Sequence, residues 1–256
     1  MAGKMFMDKQ KDNQSALSWT AQAAALRLIA AERLEIEKIV SPLYGYHLIT
    51  LGEPVLGALV DSSLISHQVI INPEIEADRG KLRAIRGRIE ALAVKNESVD
   101  VVVLTHSLEQ TENPHEVLRE AHRVLIPEGY LVITGLRPMS LWGAWYYYKR
   151  LRRQISPQGQ LLGANRIKDW LQLLNFQVIG GGPFFYRPPF QSERLFNKLA
   201  WLEKWGEKGG PLLAGAYSLV AVKRMIPLTV QRVNWKTPPP VWPQVDGLAK
   251  PTANNK

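Results

Sequence analysis

The sequence predicts one α/β domain built on a mostly parallel sheet, and three observations carry that prediction. Strand-like and helix-like segments alternate through most of the chain. The strand-like segments are short runs apolar on both faces, as in strands covered on both sides. The best-patterned stretch, residues 96–134, reads as strand, capped helix, strand, a unit whose crossover should be right-handed.

Taken in order, residues 17–40 place Leu17, Ala21, Ala24, Ala25, Leu28 and Ile29 at helical spacing, which predicts a helix before the first strand. "SPLYG" stops it, because the residue before Pro42 avoids the helical region. "YHLITLG" and "HQVIIN" follow as buried strands. "NES" is a turn and "VDVVVLT" a third such strand. Asn113 is then an expected N-cap, with Pro114 at the first helical position and Glu116 at the third. Val117, Leu118, Ala121, Val124 and Leu125 share one face of that helix. Pro127 is expected to end the helix and Gly129 to turn the chain into "YLVIT". A helix at about 165–174 carries Ile167, Trp170, Leu171 and Leu174 on one side. "FQVIGGG" reads as a strand, "QSERLFNKLAWLEKW" as a helix and "AYSLVAVKR" as a last strand.

Four segments stand outside this alternation. Residues 1–16 read as a flexible N-terminus, 17–224 as the domain and 225–256 as a basic, Pro-containing tail. Within the domain, 136–165 and 183–212 are insertions placed where such folds build a substrate side. The first holds "LWGAWYYYKRLRRQ", with several readings open. It suits a lid over an aromatic or isoprenoid substrate, a membrane-surface helix, or a stacking platform for RNA. It equally suits an amphipathic helix covering the sheet with its basic residues on the wet side.

Composition excludes several chemistries. The chain has no cysteine, which removes disulfides, thiolate zinc sites and a cysteine nucleophile. No apolar run approaches the roughly eighteen residues of a membrane span, and "MAGKMFMDKQKDNQ" lacks the apolar core of a signal peptide. A cytoplasmic protein is expected. The net charge of +9 is fed by the tail, where Arg232, Lys236, Lys250 and Lys256 face Asp246 alone. That is either a solvated tail or a contact surface for RNA or an anionic membrane. No GxSxG, HExxH or GKS/GKT motif occurs, so hydrolase, zincin and P-loop chemistry have no support. His115 and His122, seven apart, lack a third metal ligand and read as surface residues. His47 and His67 begin strands and read as packing or capping residues.

The stretch "GRIEALAVKNESVDVVVLTHSLEQTENPHEVLREAHRVLIPEGYLVI" resembles the class I S-adenosylmethionine-dependent methyltransferases, type 11-like. Val99-Asp100, Asn113-Pro114, Arg123-Val124-Leu125-Pro127 and Gly129 stand where that family has its "FD" strand, Asn/Asp-Pro loop, "RVL" helix end and Gly-led strand. The chain is similar in particular to a bacterial subgroup with a shortened first loop. The resemblance implies a Rossmann-like sheet with helices on both faces and an antiparallel hairpin at its C-terminal edge. It implies S-adenosylmethionine as cofactor, lying across Gly52, Glu53, Asn72, Ile89, Glu90, Thr105 and His106. Against the family pattern, Thr50 replaces the acid of the first strand and Glu53-Pro54 the next glycines. Asn72 replaces the ribose-binding acid, with Glu74 as a substitute, and Arg88 the acid before the adenine segment.

His106 and Glu109 are the candidate bases of the loop after the fourth strand. His106 alternatively packs beneath the cofactor or bonds a loop carbonyl, and Glu109 alternatively is a solvated loop carboxylate. The expected function is methyl transfer to a small or lipid-like molecule. The rivals are a catalytically inactive scaffold that binds a protein or RNA partner, and an RNA methyltransferase.

Overall fold

The computed structural model describes residues 23–52, 63–73, 83–152, 160–189 and 214–225. Residues 1–16, the expected helix at 191–205 and the tail beyond Met225 lie outside them, as do Glu53, Pro54 and Glu74.

Among the described residues, helix α1 (Ala23–Val40) precedes β1 (His47–Gly52), β2 (His67–Asn72), β3 (Arg83–Arg86) and β4 (Val99–Thr105). The short α2 (Ser107–Gln110), α3 (Pro114–Val124) and β5 (Leu125–Leu136) follow, then α4 (Leu141–Leu151) and α5 (Ala164–Leu173). Strands β6 (Phe176–Gly180), β7 (Pro183–Phe184) and β8 (Ala216–Lys223) complete the order. The sheet runs β3-β2-β1-β4-β5-β8-β6, with β7 also paired to β8. Strands β1 to β5 are mutually parallel, and β8 runs antiparallel to β5, β6 and β7. The expected sheet, with its antiparallel C-terminal edge, is the one observed.

Two-residue periodicity explains why both faces are covered. Val102, Leu104, Leu131 and Ile133 bury one face with Val117, Leu118 and Ala121 of α3 and Ile167 and Leu171 of α5. Val101, Val103 and Val132 point the other way, into a cluster with Ile29, Ile36 and Val40 of α1. Central strands so enclosed must be apolar at every step, which is how "VDVVVLT" reads.

Its one charged residue has a task at the bottom of the sheet. The carboxylate of Asp100 accepts hydrogen bonds from the backbone N–H groups of Tyr46 and His47, both at 2.9 Å, and so starts β1. Gly45 lies against Asp100, and a Cβ there would come within 2.5 Å of it. Asp100→Ala should therefore cost about 1–2 kcal/mol, read as a lower urea midpoint at unchanged slope. A midpoint equal to the wild type would show that solvent replaces the carboxylate without loss.

Three local expectations need correction. Asn113 occupies the N-cap position, but its side chain makes no capping hydrogen bond. Its backbone carbonyl instead accepts from Glu116 N at 3.0 Å, and Pro114 pre-sets the first turn. Helix α3 ends at Val124, before Pro127, because Leu125 is already extended and pairs with Val99. The left-handed residue of the following bend is Glu128, not Gly129. Gly129 is needed for space, since a Cβ would sit 2.9 Å from Ile126 O.

Helix α4 lies in the first of the two expected insertions. Ser140 caps it, accepting from Gly143 N at 3.0 Å, and Trp142 and Tyr146 fix its inner face. Its wet side carries Leu141, Ala144, Tyr147, Tyr148 and Leu151, while Lys149 and Arg150 are half-buried. No helix among the described residues is long and apolar enough to cross a membrane.

Candidate functional site

Parallel strands end together at their C-terminal edge, where open α/β sheets bind ligands. Here that edge brings together Gly52 of β1, Asn72 of β2 and Thr105 of β4. Gly52 is left-handed, at φ +123°, and pairs in register with Thr105. A Cβ on it would lie 2.1 Å from Thr105 O and 2.7 Å from Ser107 Oγ. Only glycine fits. The side chains around it tie the ends of these strands to each other. Asn72 Nδ2 donates to Gly52 O at 2.5 Å, Ser107 Oγ to Leu51 O at 2.5 Å and Thr105 Oγ1 to the same carbonyl at 3.3 Å.

The segment after β3 closes the next side. Ile89 and Leu92 are buried in the core. Half-buried Glu90 accepts from Thr111 Oγ1 at 2.7 Å and lies 3.8 Å from the exposed Arg88 guanidinium. Arg123 holds the segment in place, donating to Leu92 O and Val94 O, both at 2.9 Å, while Glu120 accepts from Leu92 N. The "RVL" arginine thus serves as a clamp on this loop.

Behind β4 lies a buried ionic cluster. His106 is left-handed, at φ 54°, a conformation that costs a non-glycine residue about 1–2 kcal/mol. Its ring is held at both ends. Nδ1 is 2.9 Å from Glu109 Oε2, and Nε2 is 3.1 Å from Glu32 Oε2 on α1. The second oxygen of Glu109 accepts from Leu136 N at 2.5 Å, and that of Glu32 accepts from Thr134 Oγ1. All three side chains are buried. Burial alone would lower the imidazole's pKa, but Glu32 and Glu109 outweigh it and hold His106 well above its ordinary value. Glu109 is raised chiefly by desolvation, against the pull of His106. Tyr217 is pushed up by burial and then by Glu109, and Tyr146 by the same causes to about 12. Gly135 makes the room, since a Cβ there would meet Glu109 Oε1 and Tyr217 Oη at 2.7 Å. The raised pKa favours an imidazolium between the two carboxylates, and His106 directly follows Thr105 of the edge formed with Gly52.

A family model described as a methyltransferase domain matches residues 59–133. The uncharacterised protein YafS of Escherichia coli K12 is 31% identical over 209 residues, covering 77% of this chain and 78% of YafS. An S-adenosylmethionine-dependent methyltransferase from Archaeoglobus fulgidus shares the fold at a TM-score of 0.57, with 16% identity over 76% of this chain and 94% of that one. One from Mesorhizobium loti does so at 0.53, with 13% identity over 76% and 98%. The chain belongs to the class I S-adenosylmethionine-dependent methyltransferase superfamily. The cofactor of this superfamily is S-adenosylmethionine.

The methyltransferase fold brings five of the expected cofactor residues, Gly52, Asn72, Ile89, Glu90 and Thr105, to one end of the sheet, while Glu53 lies outside the described residues. At that end a residue without side chain ends β1, an amide ends β2, and an apolar residue with a carboxylate follows β3. The expectation of Glu109 as a solvated loop carboxylate is corrected, because α2 turns it inward against Leu136 and His106. His115 is exposed and stacks on Trp170 at 3.8 Å, and His122 meets Phe176 edge-on at 5.4 Å. His47 and His67 pair across β1 and β2 through their Nδ1 atoms, 2.9 Å apart. No group of three candidate metal ligands occurs among the described residues. Glu32 escaped the sequence reading, yet a signal existed. It follows Ala25, Leu28 and Ile29 on the apolar stripe of α1, where a carboxylate needs a buried partner.

Proposed function

We propose that this methyltransferase domain modifies a small or lipid-like acceptor admitted beside β4 and β5. The meeting of Gly52, Asn72 and Thr105 beside the Glu32–His106–Glu109 cluster supports this reading. When bound, S-adenosylmethionine supplies an activated methyl group on a sulfonium. Gly52 would offer main chain without a side chain, and Asn72 would offer its amide to the ribose hydroxyls in place of a carboxylate. Ile89 would cover the adenine, with Glu90 beside it. Thr105 would hold the strand end to which the loop 106–111 is attached.

His106 would act as a positioning residue, since both its nitrogens face carboxylates. A group that shuttles a proton must reach the acceptor directly or through one water. Glu109, tied to Leu136 N, would set the charge on the acceptor side.

The test is thermal unfolding with S-adenosylmethionine or its demethylated product. Saturation at about a hundred times the dissociation constant adds about 2.7 kcal/mol, or roughly 5–10 °C for a domain this size. Asn72→Ala should weaken binding about tenfold, the loss of one hydrogen bond. No shift at millimolar ligand would overturn the cofactor assignment to these residues. For the acceptor, methyl-labelled cofactor incubated with a cell extract should deliver label to the organic phase or to the small-molecule fraction. Label found only in the RNA or protein fraction would exclude a lipid-like substrate.

A further inference from the structure

Helix α4 presents a face that its packing does not use. Trp142 and Tyr146 are 1% and 7% exposed, and Trp142 Nε1 donates to Arg187 O at 2.7 Å, so the inner side is anchored. On the outer side Leu141 is 54%, Tyr148 52% and Leu151 85% exposed, one above the other at helical spacing, with Tyr147 at 44%. Met139, just before the helix, is 85% exposed. Cations border this face at its C-terminal end. The Arg152 guanidinium lies 5.2 Å from the Tyr148 ring centre, and Lys149 Nζ lies 5.7 Å from that of Trp145.

We propose that this face of α4 docks the protein on the surface of an anionic lipid bilayer. Three properties select that occupant. The face belongs to a convex helix, with leucines and tyrosines whose rings are apolar and whose hydroxyls are polar, the mixture suited to a headgroup boundary. Lys149, Arg150 and Arg152 stand at its edge, where long basic side chains keep their charge in the headgroup layer while the stems cover apolar surface. The chain as a whole carries a net charge of +9, complementary to anionic lipid. Docking in this way concerns neither the cofactor nor methyl transfer, so it stands or falls apart from the proposed reaction.

The full chain should co-sediment with vesicles of mixed phosphatidylcholine and phosphatidylglycerol, and weakly with phosphatidylcholine alone. Tyr148→Glu with Leu151→Glu should lower that binding by at least about tenfold, with unchanged unfolding midpoint because both side chains point outward. Because the chain has no cysteine, Leu151→Cys accepts a single environment-sensitive dye. Its emission should shift to the blue on the mixed vesicles. The same dye at Leu173→Cys, an exposed position on α5, should not respond. Binding that survives the double substitution would place the interaction on other charges and overturn the proposal. So would absence of binding to the mixed vesicles. Self-association of the wild type that the double substitution abolishes would overturn it too, by making the face a contact between copies.

Discussion

Replacing His106 with alanine should lower stability by about 3–5 kcal/mol near neutral pH, because two buried carboxylates then face each other without a cation. For a domain of this size that lowers the unfolding midpoint by roughly 6–20 °C. The pH dependence identifies the cause. His106 is raised in the folded state, so its contribution is fully present below its unfolded value of about 6.5. It is lost as pH rises through the raised folded value. Glu109 is also raised, so it too stabilises at low pH and loses that contribution as pH rises past the ordinary carboxyl range. Wild-type stability should therefore decline on the alkaline side. The deficit of His106→Ala should be larger at pH 7 than at pH 5, where protonation of Glu109, already raised by its burial, relieves the repulsion. Adding Glu32→Gln to His106→Ala should recover part of the loss. Equal deficits at both pH values, with no recovery, would mean that the cluster contributes packing alone.

Gly52→Ala carries the other large expected effect. The backbone there is left-handed, and the new methyl carbon would lie 2.1 Å from Thr105 O. Strain of about 1–3 kcal/mol adds to about 1–3 kcal/mol of overpacking, so a loss of roughly 2–6 kcal/mol is expected. Any folded fraction should bind the demethylated cofactor at least about tenfold more weakly, because relieving the clash must separate the ends of β1 and β4. Gly182→Ala is the control. A Cβ at Gly182 meets nothing within 4 Å, and its stability should stay within about 0.5 kcal/mol of the wild type. A Gly52→Ala protein of wild-type stability and affinity would show that the strand ends separate freely.

Helix α4 bears on both proposals. Its inner side packs on Leu136 and Phe185, and its outer side meets solvent with tyrosines and leucines. An enzyme that takes an apolar acceptor from a bilayer would place such a helix between lipid and site. Either half can still be disproved alone, since vesicle binding needs no cofactor and cofactor binding needs no vesicle.

Much of the molecule was legible because its signals are local. The buried strands "HQVIIN" and "VDVVVLT" are bounded by turn residues, and both were observed at the residues expected. Helix α5 begins and ends within a residue of its expected limits. Where expectation failed, a longer-range contact had won. Leu125 leaves the helix because Val99 offers it a strand partner, and the hydrophobic spacing at that point suits either state. The wet side of α4 could not be read from composition, since which residues face inward depends on the position of Trp142 against Gly215 and Phe185.

The same division holds for the site. The order of strands and helices, the glycine at the end of β1 and the amide at the end of β2 follow from the chain alone, since each is set by neighbours in sequence. Tertiary structure decided that Glu109 turns inward, that Glu32 crosses from α1 to meet it, and that His106 stands between them. A buried carboxylate is tolerated only where a partner is supplied, and these partners come from residues 32, 106 and 134. No local pattern links positions so far apart; only the closing of the helix over the sheet brings them within hydrogen-bonding distance.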